Sequence, residues 1–130
     1  MRHIVLDTNT FLRFFFNDIP DQKQRVQALF EKAKQGKVFL LVPQIVVFEI
    51  HFTLSKYYNF SKEEILIVLK AVVVMEYLHV QDRDLLQKAL ELFQTYNKLS
   101  LADCFTQCYA EKNDAELFMF DRDLGKPAEK

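Results

Sequence analysis

The chain has 130 residues, half of them hydrophobic, with 13 Phe, no Trp and only 2 Gly and 3 Pro. One domain over residues 1–130 is the simplest organisation, since a chain of this length buries about two thirds of its unfolded surface, and the shortage of Gly and Pro excludes a turn-rich all-β fold. With 17 Lys and Arg against 18 Asp and Glu, the formal charge of −1 carries no signal for nucleic acid.

"HIVLD" (3–7) is a β-branched, apolar run ending in an acid and predicts a buried strand. Residues 10–17, "TFLRFFFN", predict a short helix that Thr8 or Asn9 can cap. Four phenylalanines, at 11, 14, 15 and 16, cannot all face one core from so short a helix. One or two of them are expected at the surface or at a contact. Residues 21–36 have Val26, Leu29, Phe30 and Ala33 at helical spacing and Gly36 as a stop. "VFLLV" (38–42) predicts a second buried strand, and Pro43 opens a helix over about 44–57.

"SKEE" (61–64) is a capping box leading into a helix to about residue 74, and "YLHV" (77–80) predicts a third strand. Residues 82–97 are amphipathic, with Leu85, Leu86, Ala89, Leu92 and Phe93 on one stripe. A helix from 100 to about 112 follows, then "AELFMF" (115–120) as a fourth strand. Strands alternating with helices predict an α/β/α sandwich around a mostly parallel central sheet. The N-terminus meets an acid at position 7 before any signal-peptide core forms, and the longest apolar run, 65–75, is too short to span a bilayer. Those features predict a soluble, cytoplasmic protein with no membrane contact. Cys104 and Cys108 are expected to be small core residues, and His3, His51 and His79 show no metal spacing.

Four acids fall where ligands bind in such folds. Asp7 and Asp121 end predicted strands, Glu49 lies two turns into the helix after the second strand, and Asp103 is in the first turn of the helix before the last strand. In open parallel sheets the ligand crevice lies outside the carboxyl ends of the strands. Four carboxylates gathered there repel one another unless a cation compensates, and oxygen-only ligands suit Mg²⁺ or Mn²⁺, one ion or two. Neutralising four acids would leave 14 facing 17 bases, a surface that no longer repels phosphate. Each acid also has a plainer explanation. Asp7 can cap a helix, "SLAD" (100–103) is a capping box, and "FDRD" (120–123) can start a turn. A lone Glu49 amid "VVFEIHF" would be costly to bury without a partner.

"VLDTNTFLRFF", "VPQIVVFEIHFTL", "YNKLSLADCFTQCYA" and "LFMFDRDLGK" together resemble the PIN domain, most closely the small single-domain ribonucleases of toxin–antitoxin modules typified by VapC toxins. The resemblance implies a metal-dependent endoribonuclease. Asp7, Glu49 and Asp103 match its firmest acidic positions, and Asp121 matches a more variable fourth, with Asp123 as a substitute or helper. Thr8, Asn9 and Ser100 match supporting polar positions, and Arg13 is a candidate for substrate phosphate. Implied partners are RNA, a small antitoxin protein and a second copy in a homodimer. Beyond "FDRD" only "LGKPAEK" remains, so the final edge strand is expected to be missing or built by another chain. Two alternatives are a catalytically inactive PIN-like module that binds RNA or protein, and a haloacid dehalogenase-like phosphatase. The second is disfavoured by Asn9, where that chemistry wants Asp.

Overall fold

A computed structural model describes residues 1–120. Its sheet is built from three short apolar runs: β1 (Arg2–Val5), β2 (Val38–Val42) and β3 (Leu78–Val80). They lie in the order β1-β2-β3, all parallel, with Ile4 opposite Leu40 and Leu40 opposite Leu78. Parallel neighbours cannot be joined by a tight turn. The connections are therefore helical: α1 (Thr8–Phe15) and α2 (Pro20–Lys34) between β1 and β2, then α3 (Gln44–Lys56) and α4 (Lys62–Val74) between β2 and β3. After β3 come α5 (Arg83–Thr95) and α6 (Leu101–Lys112). The α/β class expected from the sequence is formed.

The chain groups into two compact units, the first from Met1 to Gln81 and the second beginning at Asp82. In the first, period-2 alternation sends Val38, Leu40 and Val42 into the core with Leu78 and Val80. α1 and α3 pack on each other, α2 packs on β2, and α3 packs on α4. Phe30 is buried at the centre of an aromatic group, with ring centroids 4.7 Å from Phe14, 6.1 Å from Phe11 and 5.7 Å from Tyr77. The opposite face of the sheet carries a ring stack across all three strands: His3 on Phe39 at 4.6 Å and Phe39 on His79 at 3.5 Å. In the second unit, α5 packs on α6, with Leu85, Leu86, Ala89, Leu90 and Phe93 buried on one helix and Leu101, Cys104 and Cys108 on the other. Both cysteines are buried and neither is in a disulfide, and burial raises the Cys108 thiol pKa.

Helix ends follow the sequence signals closely. Ser61 Oγ accepts from the Glu64 N–H at 3.2 Å while Glu64 Oε1 accepts from the Ser61 N–H at 2.8 Å, a complete capping box. α2 ends where Gly36 takes φ +75°, a left-handed conformation that lets Lys37 N–H reach Lys32 O at 2.9 Å and Gly36 N–H reach Ala33 O at 3.0 Å. Pro43 offers no side-chain cap to α3. Gln81, just past β3, supplies one instead, its Oε1 accepting from Gln44 N–H at 3.0 Å.

Four expectations need correction. β1 stops at Val5, two residues short of Asp7, and it is largely exposed because it stands at the sheet edge, with Val5 65 % accessible. "AELFMF" forms no strand. Residues 115–119 lack regular structure, and Phe118 and Phe120 are 88 % and 95 % accessible. An apolar alternation without a bonded neighbour is not a strand. None of Phe11, Phe14, Phe15 and Phe16 is exposed. Phe11 is fully buried, and Phe16 finds Tyr58 at 5.1 Å and Phe60 at 5.6 Å, beyond the end of α3. Leu92 is only half-buried, and Leu90 takes its expected place in the core stripe of α5.

Two outcomes follow for stability. Phe30→Ala should cost about 3–5 kcal/mol in chemical denaturation, because it opens a cavity among Phe11, Phe14 and Tyr77. His51, on α3, is held below its ordinary pKa of 6.5, first by burial and then by Lys62. The unfolded chain therefore binds this proton more readily, so the contribution is lost as pH falls from above 6.5 through the lowered folded value. Denaturation midpoints should drop between pH 7.5 and 5.5, and His51→Gln should flatten that dependence.

Candidate active site

Pairing between β1 and β2 runs one residue past the strand, with Leu6 N–H donating to Leu41 O at 2.9 Å and the Leu6 side chain buried. The next residue must leave the sheet and start a helix. Asp7 does so as the N-cap of α1, its Oδ1 accepting from Thr10 N–H at 3.0 Å and from Thr10 Oγ1 at 2.9 Å. The cap is therefore Asp7 and not Thr8 or Asn9, which lie inside the helix as its first two residues. An acid at a helix N-terminus is also favoured by the backbone dipole. One oxygen meets all these requirements, and among the described residues Oδ2 has no partner.

Glu49 is on the exposed side of α3, so the cost of burying a lone acid does not arise. Thr8 Oγ1 donates to its Oε1 at 3.3 Å, linking two segments 41 positions apart. The first turn of α1 thereby ties Glu49 to the residue next to Asp7, just past the carboxyl end of β1. Again one carboxylate oxygen is engaged and the other is without a partner among the described residues.

Asp103, in the second unit, repeats the pattern. Ser100 Oγ accepts from Asp103 N–H at 3.0 Å, and Asp103 Oδ2 accepts from Ser100 N–H at 3.2 Å, which leaves Oδ1 uncommitted. One turn later on the same helix, Gln107 donates through Nε2 to Glu111 Oε1 at 3.1 Å while its own Oε1 is buried with no hydrogen-bond partner. A buried acceptor left open in this way calls for a water or a ligand donor. Asp121 and Asp123 lie outside the described residues. Among those described, no group of three or more His, Cys, Asp or Glu side chains gathers as a metal site.

Asp7 also lines a cleft of about 390 Å³ between α1 and α2, together with Asn9, Thr10, Arg13, Gln22, Arg25, Val26 and Leu29. Arg13 donates through Nε to Gln22 Oε1 at 2.8 Å and pairs with Asp18 at 3.4 Å. Two features of this neighbourhood were not found by sequence reading. Thr10 holds Asp7, a role visible in the i, i+3 spacing of "DTNT" as a capping pattern. Arg25 reaches the cleft, yet nothing separates it in sequence from any other charged residue on an amphipathic helix.

The cap predicts a clean separation of roles. Asp7→Ala should lower stability by about 1 kcal/mol through loss of the cap, whereas Asp7→Asn, which can still accept from Thr10, should stay within a few tenths. Thermal denaturation of the two variants checks this.

The model of the PIN domain family matches residues 4–130. The chain is also 25% identical over 108 residues, 83% of its own length and 78% of the relative's, to a VapC ribonuclease of Aquifex aeolicus (strain VF5). An acid capping the helix after the first strand, a second acid tied to it from the helix after the second strand, and a match over nearly the whole length agree with one another: the chain belongs to the PIN domain family.

Proposed function

We propose that the protein is a metal-dependent endoribonuclease, the toxin of a toxin–antitoxin pair. The observation that supports this reading is the Thr8–Glu49 hydrogen bond, which ties Glu49 to the residue after Asp7, each carboxylate keeping one oxygen without a partner among the described residues. The similarity to a VapC ribonuclease supports the choice of RNA as substrate. Membership in the PIN domain family sets the phosphatase alternative aside.

The donor set fits a hard divalent cation. Mg²⁺ and Mn²⁺ prefer carboxylate oxygen, and Mg²⁺ commonly takes one or two carboxylates together with waters and substrate phosphate. Asp7 and Glu49 would hold such an ion, with Asp103 and either Asp121 or Asp123 as the further acids of the family pattern. When bound, the ion supplies charge at the scissile phosphate and lowers the pKa of a water.

The chain's own contribution is orientation. Thr10 fixes Asp7 with two hydrogen bonds and Thr8 fixes Glu49 with one, so neither carboxylate has to be ordered when substrate arrives. The hydrolysis adds water across the P–O3′ bond, with oxygen going to phosphorus and a proton to O3′, and leaves a 5′-phosphate and a 3′-hydroxyl. Asn9 and Ser100 act as supports at the two helix starts. Partner contacts fall to a small antitoxin and a second copy of the chain, and the exposed apolar side chains of Ile45, Phe52 and Tyr57 along α3 and just beyond it suit such contacts. No helix among the described residues is long and apolar enough to cross a membrane.

Purified protein should cut a mixed single-stranded RNA pool with Mn²⁺ or Mg²⁺ and lose that activity in EDTA. Asp7→Asn should reduce the rate by at least about 100-fold, and Thr8→Val by about 10–100-fold as a support to a ligand. Equal cleavage by Asp7→Asn and wild type would overturn the assignment.

A further inference from the structure

We infer that the cleft between α1 and α2 is a phosphate subsite for the RNA strand, with Arg25 as its principal contact and Arg13 as its second. The inference rests on the endoribonuclease reading for its choice of ligand. Asp7 stands at one end of the cleft wall and Arg13 six residues further along, about 9 Å by helical rise. A strand with its scissile phosphate at Asp7 would therefore carry a neighbouring phosphate, not the one being cut, towards the arginines.

The electrostatics of the lining favour an anion. Two arginines face a single carboxylate, Asp7, and that carboxylate is the one expected to be compensated by cation. Arg25 is exposed on α2 and has no ion pair or hydrogen-bond partner among the described residues. Arg13 is only partly committed. Its link to Asp18 is long and on the surface, a kind of pair that contributes little. Its bond to Gln22 uses Nε, which leaves Nη2 available and the guanidinium plane held. Nη2 can meet one phosphate oxygen, and Nη1 a second once the weak Asp18 pair is given up.

The rest of the lining suits a nucleotide better than an acidic peptide. Asn9, Thr10 and Gln22 offer neutral hydrogen-bonding groups for sugar hydroxyls, and Val26 and Leu29 form a half-buried apolar floor. A cleft built for a carboxylate side chain would need the charges but not this mixture.

The test is equilibrium binding of a fluorescent, mixed-sequence single-stranded RNA 20-mer in EDTA, which prevents cleavage, across a salt series. Wild type, Arg25→Gln and Arg25→Lys are compared, with Mn²⁺-dependent cleavage followed in parallel. Arg25→Gln is expected to weaken binding several-fold and to reduce the magnitude of the log K against log salt slope by about 0.7, the value for one lost phosphate contact on a single strand. Arg25→Lys should keep the wild-type slope. An unchanged slope in Arg25→Gln, or no RNA binding by wild type, would overturn the subsite. Arg25-dependent binding without cleavage by any form would leave the subsite standing and remove the nuclease reading. Cleavage by wild type with Arg25→Gln indistinguishable in binding and slope would do the reverse.

Discussion

The change from strand to helix at Asp7 is the constraint around which the candidate site is arranged. Pairing of Leu6 with Leu41 ends β1, the Leu6 side chain enters the core, and the backbone must turn at once into α1. That turn exposes helix N–H groups, and an acid is a favoured residue to meet them. Thr10 takes one oxygen of Asp7 through two hydrogen bonds. One oxygen of this side chain therefore serves the cap, and the other is left without a partner among the described residues.

The same division recurs at Glu49 and Asp103, by different means. Glu49 lies mid-helix, where no backbone N–H is free, so its restraint comes from a hydroxyl 41 residues away. Asp103 lies in a first turn and is restrained by its own capping box. A carboxylate that is already oriented loses little conformational freedom when a cation or substrate arrives. Seen this way, the helix-cap explanation and the ligand explanation of Asp7 and Asp103 do not compete. A cap uses one oxygen and a cation needs only the other.

Much of the fold was legible because it depends on local signals. Capping boxes at Ser61 and Ser100, the left-handed stop at Gly36 and the opening at Pro43 are chemical requirements of helix ends and do not wait on tertiary contacts. "VFLLV" was legible because a run buried at alternate positions needs strand residues. "AELFMF" carries the same signal, yet it forms no strand among the described residues, since strand formation depends on a bonded neighbour. The phenylalanines of α1 misled for a related reason. A helix taken alone shows too many apolar directions, whereas Phe30, Tyr58 and Phe60 come from other segments to meet them.

The sequence by itself determined the order of the three strands and six helices, the α/β class, most helix caps and the identities of the candidate acids, because most of these depend on residues within about four positions of one another. Only the tertiary structure decided that Glu49 is exposed and bonded to Thr8, that Gln81 caps α3, and that Arg13 and Arg25 from two helices share a cleft with Asp7. Those relations join positions far apart in the chain. Whether two such residues meet depends on how the β1-α1-α2-β2 and β2-α3-α4-β3 crossovers pack, and no local propensity encodes that.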